Sequence, residues 1–255
     1  MTDKIITGVD GAIGRIVFNQ PEKRNAVSLE MWIAVDEALD RYAADDNVRV
    51  VILSGAGGKA FVSGADISKF ESERASEEAV AHYNSTTARV YTKVHAFPKP
   101  VIAQIDGFCV GGGCALAVCC DIRVCGEGAQ FAVPAAKLGL GYAYAGLERL
   151  VALVGPSFAK EIFFTADRFS AEDAKFMGLV NRVVPDGEVE AFCTAMANEN
   201  SERPQPRSAL IGTRNRPKFC REPLAIIRIN TAPTRTNNGV RQNAFMVAAT
   251  LIDKL

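Results

Sequence analysis

Residues 98–121 read PKPVIAQIDGFCVGGGCALAVCCD, and the order of the parts within this stretch sets the architecture of the chain. An apolar run from Val101 to Ile105 gives way to a turn at Asp106-Gly107, then to Gly111, Gly112 and Gly113, and then to an apolar segment with helical spacing. This is the pattern of a buried strand, a glycine turn and a helix start. Glycine lets other groups approach the backbone, and the first N–H groups of a helix have no partner inside it. With the helix dipole added, such a turn suits an anion, either a phosphate or an oxyanion formed during a reaction. The same glycines equally suit close packing of helix on strand.

A second stretch changes the balance. Residues 55–67 read GAGGKAFVSGADI and follow another apolar strand, Val48 to Leu53, through glycines into an expected helix. Two strand–glycine–helix turns can each aim one backbone N–H at the same oxygen, which is how a two-donor oxyanion hole is assembled.

Together these segments resemble the enoyl-CoA hydratase/isomerase (crotonase) superfamily. The matching text is NQPEKRNAVSLEM (19–31), FVSGADI (61–67), KPVIAQIDGFCVGGGCALAVCCDIR (99–123), QFAVPAAKLGL (130–140) and TADRFSAEDAKFMGLVNRVV (165–184), and the likeness covers about residues 5 to 197. It implies an α/β, crotonase-like (ClpP/crotonase) spiral of strand-strand-helix repeats with a C-terminal helical region, assembled as a homotrimer or a dimer of trimers. Residues 1–197 are then an acyl-CoA-binding core. The implied substrate is an acyl-CoA thioester, and the implied chemistry is stabilisation of its enolate. Coenzyme A is part of that substrate, so no separate cofactor is expected.

The resemblance places the oxyanion hole at the backbone N–H groups of Ala65 and Gly112, with Gly111 beside them. Contacts to the CoA moiety are expected from Lys23 and Arg24 and from Lys59, Ser63, Asp66 and Ile67. Hydratases of this family position water between two glutamates, one removing its proton while the other protonates the α-carbon. At those two positions this chain has Ala115 and Ala135, and Ala143 stands near the position of the aspartate used by dienoyl isomerases and aryl-CoA dehalogenases. Alanine transfers no proton, so two-glutamate hydration is not the expected reaction.

Other groups near these positions are Glu148, read with Arg149 as a structural or surface pair, and the phenols Tyr142 and Tyr144 in GLGYAYAG, the loop that walls the family's acyl pocket. A phenol of ordinary acidity donates or orients a proton but is a poor base at neutral pH. LGLGY (138–142) with KEIFFT (160–165) resembles the methylmalonyl-CoA decarboxylase branch, whose active-site tyrosine matches Tyr142, although that branch has a histidine where this chain has Ala65-Asp66. Decarboxylation of a malonyl-type thioester makes its own enolate and asks only for the hole, an apolar place for the carboxylate and a weak acid. Three readings follow: a lyase or isomerase with altered catalysis, a malonyl- or methylmalonyl-type CoA decarboxylase using Tyr142, and a non-catalytic acyl-CoA binding protein.

Composition sets the outer bounds. The chain has 255 residues, 48% hydrophobic and 23% charged, with a net charge of zero, which supplies a core and no general attraction to nucleic acid or an anionic membrane. No apolar run approaches the roughly 18 residues that span a bilayer, and MTDKIITGVDGAIG lacks the shape of a secretion signal, so the cytoplasm is the expected compartment. Of seven cysteines, Cys109, Cys114, Cys119, Cys120 and Cys125 cluster without a CxxC pair and far in sequence from His82 and His95. They are expected to be buried apolar residues in a reducing compartment, and no metal site is expected.

Along the chain, 4–9 and 13–18 read as a hairpin around Asp10-Gly11, and Ser28 as the cap of a helix with Met31, Val35, Leu39 and Tyr42 on its apolar face. Two helices are expected around Gly155-Pro156, and Ser170 with Asp173 reads as a helix start that runs to a stop at Gly178 before a strand at 179–184. Residues 198–255 depart from this regularity. They carry a charge balance of +6, against −6 for residues 1–197, and hold five of the 11 prolines, where relatives carry long amphipathic helices. A binding arm, an unstructured tail and a reading-frame shift all give such a sequence, and a frame shift or other divergence of the coding sequence is the expectation here.

Overall fold

The computed structural model describes residues 2–69, 73, 75–138 and 144–201. The expectations for Tyr142, Ala143 and the Tyr144 side chain, and for the basic region beyond Ser201, therefore lie outside the described residues.

The described chain winds through four strand-strand-helix units. The first is β1 (Ile5–Asp10), β2 (Ile13–Phe18) and α1 (Leu29–Ala44). The second is β3 (Val50–Gly55), β4 (Ala60–Val62) and α2 (Glu77–His95). The third comprises β5 (Val101–Ile105), β6 (Phe108–Val110) and α3 (Gly112–Ala117), and the fourth β7 (Ile122–Gly126), β8 (Gln130–Ala132) and α4 (Ala135–Leu138). After them come α5 (Tyr144–Thr165), β9 (Arg168–Ser170), α6 (Ala171–Phe176), β10 (Arg182–Val184) and α7 (Val189–Ser201).

From the second unit on, the first strand joins one sheet and the second strand joins another. The larger sheet runs β1-β2-β3-β5-β7-β10 and the smaller β4-β6-β8-β9. Among the described strands only β1–β2 and β8–β9 pair antiparallel. This alternation between two sheets is the expected spiral, and it explains the mostly apolar central strands. Along β3, Val51 and Leu53 point into the main core while Val50 and Ile52 meet Ile102, Val124 and the Val189, Cys193 and Ala197 face of α7. A parallel strand buried on both faces favours a near-continuous apolar run.

Local signals are mostly met. The hairpin forms, and Met31, Val35, Leu39 and Tyr42 are buried. Ser170 and Asp173 make a reciprocal capping box, and Gly178 turns the chain with φ +82°. Gly155, with φ 76° and ψ 165°, is non-helical and divides α5 into two helical segments, as expected. Other details differ. The strand expected at 48–53 pairs over Val50–Gly55, and only Arg182–Val184 of 179–184 is extended. The second glycine turn leads into a 3-10 turn, Ile67–Lys69, and Glu73 beyond it is helical. Ser28 occupies the N-cap position of α1, but its hydroxyl donates to Glu30 Oε1, and the Leu29 N–H is met by Glu73 Oε1 at 2.9 Å.

Candidate functional site

The two glycine turns meet because β4, β6 and β8 are parallel neighbours in the small sheet. The segments that follow them, carrying Ala65, Gly112 and Ala135, all leave from the same carboxyl edge, which is where open parallel sheets place ligands. The β4 register shifts between Ala60 and Val62, and the pairing stops at Val62–Cys109, just before Ser63-Gly64. Gly64 has φ +110°, and a β-carbon there would lie 3.5 Å from Val110 O and 3.9 Å from Gly112 N. Gly111, with φ 55° and ψ −112°, turns the chain from β6 into α3 in a conformation that glycine adopts without steric cost.

The backbone around Ala65 is held from the other side. Val27 N donates to Gly64 O at 2.8 Å and Asp66 N to Val27 O at 3.0 Å, a parallel bridge that engages both neighbours of Ala65. Among the described residues, neither Ala65 N–H nor Gly112 N–H has an acceptor. One is skipped by the bridge and the other opens a helix, so each follows from local geometry.

The loop over this edge is built on Asn25. Fully buried and left-handed at φ 55°, it accepts from Gln20 N at 2.9 Å and donates to Ala56 O at 3.0 Å and Ala60 O at 2.7 Å. Lys23 is spent inside this loop, with Nζ 2.9 Å from Asp66 Oδ2 and 2.8 Å from Ser68 Oγ. Burial pushes the Asp66 carboxyl up, but hydrogen bonds from Ser68, Lys23 and Gln20 outweigh it and hold the group at about 2. Asp66 is thus an anchor for the loop. Ser63 N donates to Arg24 O at 3.2 Å, and Lys59 and Ile67 are exposed, Ile67 to 79%.

Phe108 and Arg168, not among the site residues expected from sequence, join the expected Arg24 here. The Arg24 guanidinium lies 4.8 Å from the centroid of the Phe108 ring, and that of Arg168 lies 5.4 Å from it. Arg168 is 144 positions from Arg24 and arrives through the antiparallel pairing of β9 on β8, a contact with no local sequence signal.

The two positions at which the resemblance expects carboxylates are apolar. Ala115 is half-buried in α3, and Ala135 is buried at the start of α4. Glu148 is exposed, and its neighbour Arg149 turns away from it to donate to Cys119 Sγ at 3.0 Å, so the expected surface pair is not formed. The six cysteines among the described residues are buried and unpaired by disulfides, and burial pushes the Cys125 thiol up to about 12. A groove of about 690 Å³ between α1 and α2, lined by Asp40, Arg89, Lys93 and Phe97, includes neither Ala65 nor Gly112. Among the described residues no helix is long and apolar enough to cross a membrane.

Fold and site together define a spiral α/β scaffold that presents paired glycine turns at one edge of a parallel sheet. Residues 8–212 match the enoyl-CoA hydratase/isomerase family, and the chain belongs to that family, a family of lyases and isomerases. It is 35% identical over 187 residues to a crotonyl-CoA hydratase of Syntrophomonas wolfei, covering 73% of this chain and 71% of the relative. It is also 37% identical over 185 residues to a peroxisomal Δ(3,5)-Δ(2,4)-dienoyl-CoA isomerase of Arabidopsis thaliana, covering 68% and 66%. Among solved structures, the enoyl-CoA hydratase of Bacillus anthracis superposes with TM-score 0.75 at 33% identity, covering 79% of this chain and 78% of that one.

Proposed function

We propose that this protein binds an acyl-CoA thioester with its carbonyl oxygen between the Ala65 and Gly112 N–H groups and stabilises the enolate that forms there. The observation that carries this reading is the meeting of the two glycine turns, with both N–H groups lacking an acceptor among the described residues. Donors fixed in place before charge develops need no reorganisation, and losing one such donor typically costs about 10²- to 10³-fold in rate. Arg24, Arg168 and Lys59 supply the cationic rim for the phosphates of CoA, with Phe108 beneath the two guanidiniums.

The reaction is not two-glutamate hydration. Ala115 and Ala135 line with methyl groups the places where the hydratases of this family put carboxylates, and Glu148 is exposed. An apolar wall suits a substrate whose own bond cleavage generates the enolate. Loss of CO2 from a malonyl- or methylmalonyl-type thioester breaks the bond from the α-carbon to the carboxylate, leaves its electron pair in the enolate, and needs one proton returned to the α-carbon. Tyr142 is assigned as the donor of that proton.

Mass spectrometry of enoyl-, malonyl- and methylmalonyl-CoA after incubation with the purified protein tests this assignment. Loss of CO2, abolished in Tyr142→Phe, is expected. Gain of water on the enoyl ester would overturn the exclusion of hydration. Tight binding with no turnover of any ester would make the protein a non-catalytic acyl-CoA binder.

A further inference from the structure

Tyr91, on α2, reaches the glycine turn from behind. Its ring is half-buried and packs edge-on against Trp32, with centroids 5.4 Å apart and planes at 82°. Trp32 is only 2% exposed and donates its own Nε1–H to Tyr83 Oη at 3.4 Å, so the surface that holds the phenol is itself fixed. The Tyr91 hydroxyl donates to Gly112 O at 3.2 Å, and a β-carbon on Gly112 would lie 3.3 Å from that hydroxyl and 3.8 Å from Gly64 Cα. The phenol, Gly112 and Gly64 therefore form one contact group.

Gly112 lies between two other glycines at the first position of a six-residue helix, where no β-carbon restrains its dihedral angles. A donor for a developing oxyanion must nevertheless be held to within roughly 0.5 Å and 10–20°. The carbonyl end of Gly112 is the handle by which its dihedrals can be set, and the Tyr91 hydroxyl is bonded to it. We infer that Tyr91 is a positioning residue: its hydroxyl clamps Gly112 and thereby aims the Gly112 N–H at the thioester oxygen. This inference rests on the acyl-CoA reading of the site.

Acetoacetyl-CoA is a suitable probe, because its bound enolate absorbs in the near ultraviolet and reports directly on oxyanion stabilisation. The wild-type protein is expected to bind it and to lower the pH at which it enolises. Tyr91→Phe keeps the ring and removes the donor; it should weaken acetoacetyl-CoA binding roughly tenfold, move enolisation to higher pH, and leave the affinity for free CoA unchanged. An unchanged enolisation profile and affinity in Tyr91→Phe would overturn the positioning role while leaving the acyl-CoA reading intact. Failure of the wild-type protein to bind acetoacetyl-CoA would overturn that reading and this inference with it. If Tyr91→Phe fails to fold, 3,5-difluorotyrosine placed at position 91 keeps shape and donor but ionises at lower pH. Enolate binding should then fall off at correspondingly lower pH than in the wild type, and an unaltered profile would refute the role.

Discussion

A β-carbon on Gly113 would stand 2.1 Å from the carbonyl oxygen of Val62. Helix α3 therefore rests on the bare backbone of β4, and that contact is what brings Gly112 beside Gly64. The obstruction is main chain and cannot swing aside. Gly113→Ala should destabilise the protein by about 3 kcal/mol, read from urea unfolding, and acyl-CoA affinity should fall with it. Gly146→Ala, on α5 with nothing within 4 Å of the added carbon, is the control and should be neutral or slightly stabilising.

The Asp66 anchor makes a signed prediction about pH. Its carboxyl is held at about 2 in the folded protein, below the ordinary carboxylate range. A depressed folded-state value means the contribution to stability is fully present above about pH 4 and is lost as pH falls through about 2. Unfolding free energies measured from about pH 5 downward should therefore decline less steeply in Asp66→Asn than in the wild type. Equal slopes would show that Lys23, Ser68 and Gln20 do not stabilise the ionised carboxyl.

If the scaffold is intact and only proton transfer is missing, restoring the carboxylates should restore hydration. Ala115→Glu combined with Ala135→Glu should raise the rate of water addition to crotonyl-CoA by about 10²-fold or more over the parent, followed by loss of the conjugated thioester absorbance. The single variants should show far less, since one group must accept the proton and the other donate it. No gain in a folded double variant that still binds acyl-CoA would place the substrate away from these two positions.

The cationic rim should act on binding and not on chemistry. Arg24→Ala with Arg168→Ala should raise KM for an acyl-CoA by roughly tenfold, in keeping with the loss of two charge-assisted contacts, and leave kcat near the parent value. The same thioester carried on pantetheine, which lacks the adenosine phosphates, should be affected little. An equal loss on both substrates would assign the two arginines to packing on Phe108.

Sequence alone determined what is written in short range. The hairpin at Asp10-Gly11, the buried face of α1, the Ser170–Asp173 capping box and the strand–glycine–helix order at 101–117 are local patterns, because turn dihedrals, periodicity and caps are set by residues a few positions apart. That Ala115 and Ala135 carry no carboxylate was equally plain, since chemical identity needs no coordinates. Tertiary structure decided which groups meet. Glu73 displaces Ser28 as the partner of the α1 N-terminus, Lys23 is consumed by Asp66, Arg149 leaves Glu148 for Cys119, and Arg24 shares Phe108 with Arg168. Tyr91, only a position near the end of a helix when read in sequence, comes to the glycine turn 21 residues later because α2 packs back over α3. Long polar side chains have many rotamers and several partners within reach, so their choice is made by the packing of distant segments and leaves no periodic trace along the chain.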